Sequence, residues 1–266
     1  MPELPDVELL RRYLAATALH QEIQAVEVGD DQVLTGLSPR GLALALRGRS
    51  FAGASRHGKF LFARVDGEGH LAMHFGMTGF LKYFRRPQVR PRHARIQIAF
   101  ANGYFLAYSC QRKLGEVTWA DDPAAFAAQR GLGPDALGRD LDLAAFRAAV
   151  QGRRAAAKSL LLDQTALAGV GNLYADEILF QARIHPTTSV AGLKCQEQER
   201  LFRAMKQVLA TAVRCRADPG QFPLDYLLPR RGAGGRCPRC GRCLQRMKVS
   251  GRTTYYCSGC QPPPLG

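Results

Sequence analysis

The chain has 266 residues, 46% hydrophobic and 22% charged, the proportions of a globular protein with room for one large or two modest domains. Its formal net charge of +15 points to a polyanionic partner, either nucleic acid or an acidic membrane surface. No apolar run approaches the length of a membrane-spanning helix, and no basic-then-apolar leader opens the chain. The expectation is a cytoplasmic protein, or a nuclear one in a host with a nucleus, with no membrane partner.

The chain opens "MPELPDVELLRRYL", with a proline and a glutamate placed directly before a helix. Val7, Leu10 and Leu14 fall at helical spacing, with acidic residues early and arginines later, as the helix dipole prefers. From about Ile23 to Trp119 the composition is that of strands. Ile96, Ile98 and Phe100 alternate with Arg95, Gln97 and Ala99, and Asn102-Gly103 is a hairpin signal. A mostly antiparallel sandwich or barrel with one helix at its front is predicted. "DDPAAFAAQRGLGPDALGRD" reads as a connector. Three helical stretches follow, "LAAFRAAVQGRRAAAKSLLLDQ", "NLYADEILFQARI" and "QEQERLFRAMKQVLATAVRCRA". From Pro229 onward there is no acidic residue, and the tail "QPPPLG" is expected to be loosely held. These shifts set domain boundaries at 1–122, 123–228 and 229–266, with an α+β fold overall.

Four of the eight cysteines form two C-x-x-C pairs, Cys237/Cys240 and Cys257/Cys260, with sixteen residues between them. Two such pairs complete a tetrahedral thiolate site for one structural zinc ion. "LQRMKV" and "TTYY" flank Ser250-Gly251-Arg252, which predicts a two-stranded hairpin with Arg252 at its tip, held folded by the metal. Cys243 is read as a bystander thiol, and Cys110, Cys195 and Cys215 as packing residues. Eight Arg or Lys residues between Arg230 and Arg252 make this segment a candidate phosphate-binding surface. Farther back, "LAGVGNLYADE" sets Gly169 and Gly171 before Asn172 at a helix start. Spacing alone leaves two readings there: a corner that caps only itself, or an anion-binding helix start.

Taken together, "MPELPDVE", "HGKF", "HFGMTG", "DQTALAGVGNLYADEILF" and "GRTTYYCSGCQ" resemble the Fpg/Nei family of DNA repair glycosylases, in order and spacing across nearly the whole chain. The first and fourth stretches are closer to the Fpg branch. The resemblance implies an N-terminal β-sandwich, a helix–two-turns–helix module and a zinc finger, with DNA in the cleft between the halves. It also implies a monomer, associated with the nucleoid in a bacterium, acting on double-stranded DNA that carries an oxidised base or abasic site. The implied reaction is base excision followed by β,δ-elimination. Pro2 matches the nucleophile, Glu3 the general acid and base, and Lys59 the lysine that contacts the damaged nucleotide. His74, Lys158, Asn172 and Arg252 match DNA contacts. Met77 and Arg112 match two residues that fill the gap left by an everted base, and Leu114 stands where the family has an aromatic third. The chemistry is coherent: a free α-amino group titrates near about 7.7–8.0, so a useful fraction of Pro2 would be neutral and nucleophilic. That requires removal of Met1, which the small second residue favours.

Two departures bear on specificity. Leu114, in "RKLG", can plug a gap but cannot stack on bases as a flat ring does. Between the last long helix and Cys237 only "DYLLPRRGAGGR" is available, too short for the family's loop over 8-oxoguanine. Formamidopyrimidines, oxidised pyrimidines and hydantoins are therefore expected before 8-oxoguanine. A non-catalytic damaged-DNA-binding zinc protein is the competing reading, but a pure binder has no need of an N-terminal amine. An RNA-binding zinc protein explains the charge and not the N-terminus.

Overall fold

The structure, a computed structural model, describes residues 2–263, without the side chain of Glu68. Met1 and the last residues of the proline-rich tail, on which two of the expectations fall, lie outside the described residues. The chain divides into two compact units, residues 1–130 and 131–266.

The first unit opens with helix α1 (Leu4–Thr17), which buries Leu4, Val7 and Leu14. A proline in its first turn needs no N–H partner, and the Asp6 carboxylate accepts the Glu3 backbone N–H at 2.8 Å. Eight strands follow: β1 (Ile23–Val28), β2 (Phe51–His57), β3 (Phe60–Val65), β4 (Glu68–His74), β5 (Gly79–Phe84), β6 (Ala94–Phe100), β7 (Phe105–Cys110) and β8 (Glu116–Ala120). They form two four-stranded sheets, ordered β1-β6-β7-β5 and β2-β3-β4-β8, with every pairing antiparallel. Inward residues of both sheets share one core. Phe51, Leu61, Leu71 and Val117 come from one sheet, and Ile96, Ile98, Phe100 and Leu106 from the other. Each such side chain contributes about 1.5–3 kcal/mol of hydrophobic stabilisation. The predicted alternation along β6 is thus the pleat of a strand with one buried face.

Two helices depart from the expectation of a single one. Helix α2 (Pro39–Leu46) interrupts the strand-rich region, capped by the Ser38 hydroxyl, which accepts the Gly41 N–H at 3.0 Å. Its inward face is only Leu42 and Leu46, too little periodicity to read among strands. The expected connector contains helix α3 (Pro123–Gln129), because Asp122 accepts the N–H groups of Ala124 and Ala125 and Phe126 packs against Phe60 and Phe62.

The second unit holds α4 (Leu143–Val150), α5 (Ala157–Leu162), α6 (Asn172–Ala182) and α7 (Cys195–Arg214), then the hairpin β9 (Gln245–Val249) and β10 (Arg252–Tyr256). The stretch predicted as one helix from Leu143 is two, parted at Gly152, whose φ of +74° no helix residue adopts. The hairpin turn is Ser250-Gly251, both left-handed at φ +47° and +72°, as a two-residue turn requires. Arg252 is therefore the first residue of β10, paired with Val249, and not the tip. The base of the hairpin rests on α6, where Phe180 meets Leu227, Cys237 and Cys257, and the Arg239 guanidinium lies 4.4 Å over the Phe180 ring.

Candidate functional site

In the first unit, α1 delivers the chain's start to the sheet that carries Lys59. Glu3 is the residue preceding the helix and is only 1% exposed, and Pro2 beside it is half-buried. One turn on, Glu8 accepts two hydrogen bonds from the Arg11 guanidinium and lies 3.6 Å from the guanidinium of Arg56 on β2. Arg56 in turn donates to the Gly58 carbonyl at 3.0 Å, in the tight turn that carries Lys59. Burial alone would raise the Glu8 carboxyl, but hydrogen bonds from Arg11 and Arg12 and the Arg56 charge hold it at about 2. It is therefore a fixed anion that ties α1 to the Lys59 turn. The register then pairs Phe60 with His74. Burial, and next the charge of Lys59, push the His74 imidazole below its ordinary value, so the ring is neutral at physiological pH. Its Nδ1 accepts the Gly76 N–H at 3.2 Å, which leaves the proton on Nε2.

Met77 and Leu114 sit on two separate loops that the fold joins. Met77, in the turn between β4 and β5, is 41% exposed, and Leu114, between β7 and β8, is 54% exposed. The Arg112 N–H donates to the Thr78 hydroxyl at 3.2 Å. Gly76 has φ +55°, and a Cβ there would come within 2.4 Å of the Leu114 carbonyl, so the loops touch backbone to backbone. Gly115 is equally constrained, since a side chain would collide with the Tyr108 hydroxyl, which donates to the His74 carbonyl at 2.7 Å. Met77, Arg112 and Leu114 thus form one exposed cluster on a rigid base.

In the second unit the structure revises Lys158. It is fully buried, its ammonium 2.5 Å from Asp176 and 2.7 Å from the Thr254 hydroxyl. Its charge is committed inside the unit, to Asp176 and Thr254, where the sequence had matched it to a DNA contact. Asp176, on α6, takes Lys158 on one oxygen, and on the other Arg231 at 2.8 Å and the Tyr255 N–H at 3.1 Å. Sequence reasoning missed Asp176 and Arg231. The available signal was an Asp-Glu pair inside the otherwise apolar "LYADEILF". Asn172 is the first helical residue of α6, with Gly171 in the cap position. Its amide donates to the Thr253 carbonyl at 3.1 Å, while its Oδ1 is buried without a hydrogen-bond partner among the described residues. Arg252, exposed, is next in sequence to Thr253. The helix start, with its positive dipole end, and the head of β10 are therefore pinned side by side.

The four paired cysteines converge. All their sulfurs lie within 4.8 Å of one another, with Cys237–Cys260 at 3.7 Å and Cys240–Cys257 at 3.4 Å. Tetrahedral thiolates around one ion at Zn–S of about 2.3 Å would stand about 3.8 Å apart, so the set can hold a metal ion. Cys240 is drawn down to about 7 by the Arg242 backbone N–H, while burial pushes Cys260 up to about 12. Cys243 is exposed and stands outside the cluster.

Residues 1–117 match the N-terminal domain of formamidopyrimidine-DNA glycosylase, and residues 132–222 match its H2TH domain. The formamidopyrimidine-DNA glycosylases of Heliobacterium modesticaldum and Geobacter metallireducens are each 35% identical to this chain, across 98% of it and the whole of each relative. Among solved structures, Lactococcus lactis Fpg in complex with N7-benzyl-Fapy-dG DNA aligns at a TM-score of 0.88 and 28% identity, covering 98% of this chain and all of that one. The same enzyme bound non-covalently to abasic-site DNA aligns equally well, also at 0.88 and 28%.

Proposed function

The chain belongs to the formamidopyrimidine-DNA glycosylase family, and on that premise we propose a bifunctional base-excision enzyme that removes an oxidised base from duplex DNA and then cleaves the strand. The observation that carries this reading is the chain's start. A buried Glu3 follows Pro2 at the head of α1, and the contacts of Glu8 and Arg56 bind that helix to the turn of Lys59. Freed of Met1, the Pro2 nitrogen attacks sugar C1′, and the base departs with the glycosidic electron pair and a proton. The nitrogen loses its own proton, and opening of the C1′–O4′ bond gives an iminium ion. This electron sink acidifies C2′–H; removing that proton expels the 3′ phosphate, a second elimination expels the 5′ phosphate, and water hydrolyses the remaining iminium to free Pro2. Glu3 moves the protons. Lys59 offers its charge to the nucleotide's phosphate, and neutral His74 offers the Nε2 proton as a donor. Arg252 and the start of α6 hold the backbone, and the Met77, Arg112 and Leu114 cluster fills the space left by the everted base, whose unstacking costs a few kcal/mol. Cys237, Cys240, Cys257 and Cys260 would hold one zinc ion, which supplies folding energy to the hairpin and no chemistry.

The lesion preference follows from the segment after α7. Arg216 and Ala217 turn tightly at φ +53° and +54°, and the Leu227 and Leu228 N–H groups are held by Glu177. With Arg231 bound to Asp176 as well, little of this stretch is left to close over a base. Formamidopyrimidines, oxidised pyrimidines and hydantoins are therefore favoured over 8-oxoguanine.

Borohydride trapping on abasic duplex tests the chemistry. Untagged protein should give a covalent adduct, and a version with an N-terminal extension should give none. Mass spectrometry that found Met1 retained on an active preparation would overturn the mechanism. Single-turnover assays on a lesion panel test the preference, which fails if 8-oxoguanine leaves as fast as formamidopyrimidine.

A further inference from the structure

The loop that carries Arg112 and Leu114 is gripped from outside by a second set of residues. Arg95, on β6, donates through Nε to the Cys110 carbonyl at 2.9 Å and through Nη2 to the Gln111 carbonyl at 3.2 Å. Its remaining arm, Nη1, reaches the Asp30 carboxylate at 3.2 Å. The same Asp30 oxygen takes the Lys113 ammonium at 2.6 Å, and Lys113 also donates to Gln32 at 3.0 Å. Lys113 stands between Arg112 and Leu114 with φ +52°, a left-handed conformation that costs a non-glycine residue roughly 1 kcal/mol. The loop thus enters on carbonyls held by a planar guanidinium and turns on a strained lysine held by a carboxylate. Both ties end on Asp30, which lies outside the loop.

We propose that Arg95 and Asp30 are positioning residues for base eversion: they hold the Lys113 turn so that Arg112 and Leu114 stand out from the sandwich as a rigid wedge. An exposed leucine on a loose loop would collapse onto nearby apolar surface, and a wedge that must hold a gap open in stacked DNA works only if its backbone is fixed beforehand. The inference rests on the glycosylase reading. It adds that residues with no contact to the reacting atoms set how well a stacked lesion is extracted.

An abasic site has no base to extract, so it separates extraction from chemistry. Arg95→Gln, Asp30→Asn and Lys113→Met would each be compared with the parent in two single-turnover assays: release of a formamidopyrimidine from duplex, and strand cleavage at a pre-formed abasic site. The expected result is a drop in base release of about tenfold for Arg95→Gln and Asp30→Asn and less for Lys113→Met, with abasic cleavage within about twofold of the parent. Arg95→Lys, which keeps the charge but not the fork, should recover only part of the release rate. Base release unchanged in all three variants overturns the proposal, and so does an equal loss in both assays. If Arg95→Gln fails to fold, Lys113→Met, which removes only the exposed arm, carries the same comparison. A parent inactive in both assays would instead refute the underlying glycosylase reading.

Discussion

Replacing Lys158 by methionine distinguishes a phosphate ligand from an internal counter-ion. The side chain keeps its approximate length and loses its charge, so the Asp176 oxygen it faced is left without its cation, while the other oxygen keeps Arg231 and the Tyr255 N–H. Removing one partner of a buried pair costs about 3–5 kcal/mol, and the surviving Arg231 places this case at the lower end, about 3 kcal/mol. For a unit of this size each kcal/mol moves the melting temperature by about 4 °C, so calorimetry should show a loss of about 12 °C. DNA binding supplies the independent readout. Each phosphate that a variant no longer neutralises makes the slope of log affinity against log salt shallower by about 0.9. Titrations of an abasic-analogue duplex from about 50 to 200 mM salt should give Lys158→Met the parent slope, measured well below its melting point, and Arg252→Ala a slope shallower by about 0.9. A Lys158→Met protein that melts like the parent and whose slope falls by the value of one phosphate would refute the reasoning.

Three further outcomes are expected. Gly76→Ala should destabilise the first unit by about 2 kcal/mol or more and slow base release, because its methyl would enter the Leu114 carbonyl from a left-handed backbone; chemical denaturation measures it. Glu8 has a folded value of about 2, below its ordinary 4.5, so its contribution is complete above pH 4.5 and is lost as pH falls toward 2. The full shift corresponds to about 3 kcal/mol, reduced to about 2 by partial solvent screening, and the stability difference between parent and Glu8→Gln should shrink across that window. Chelation of the metal should abolish protection of the β9–β10 amides in hydrogen exchange and weaken DNA binding, with the first unit's amides unaffected; unchanged hairpin protection would contradict a structural zinc.

Much of this was legible in the sequence because the features involved are local or strictly spaced. The cysteine pairs, the alternation along β6 and the proline-glutamate start each declare themselves within a few residues. What was hidden depends on partners far apart. Lys158 was matched to a DNA contact because nothing nearby in sequence shows that Asp176 and Thr254 enclose it. Arg95 was read only as the polar side of a strand, though its partners are Asp30 and two carbonyls at the end of another strand. The short helices α2 and α3 escaped for a different reason: their caps are clear, but each buries too few residues to display a period.

The Asp176 knot also has a consequence for how the protein is made. Its carboxylate joins Lys158 to Arg231, Thr254 and Tyr255, and the last two lie close to the end of the chain. A ribosome adding about 5–20 residues per second completes the first unit roughly 6–25 s before those residues exist. From the addition of Asp176 until that of Tyr255, the nascent second unit carries an acid and a lysine whose other partners are not all synthesised. A newborn molecule therefore acquires its first unit early, while its second unit can close only after Thr254 and Tyr255 have been added.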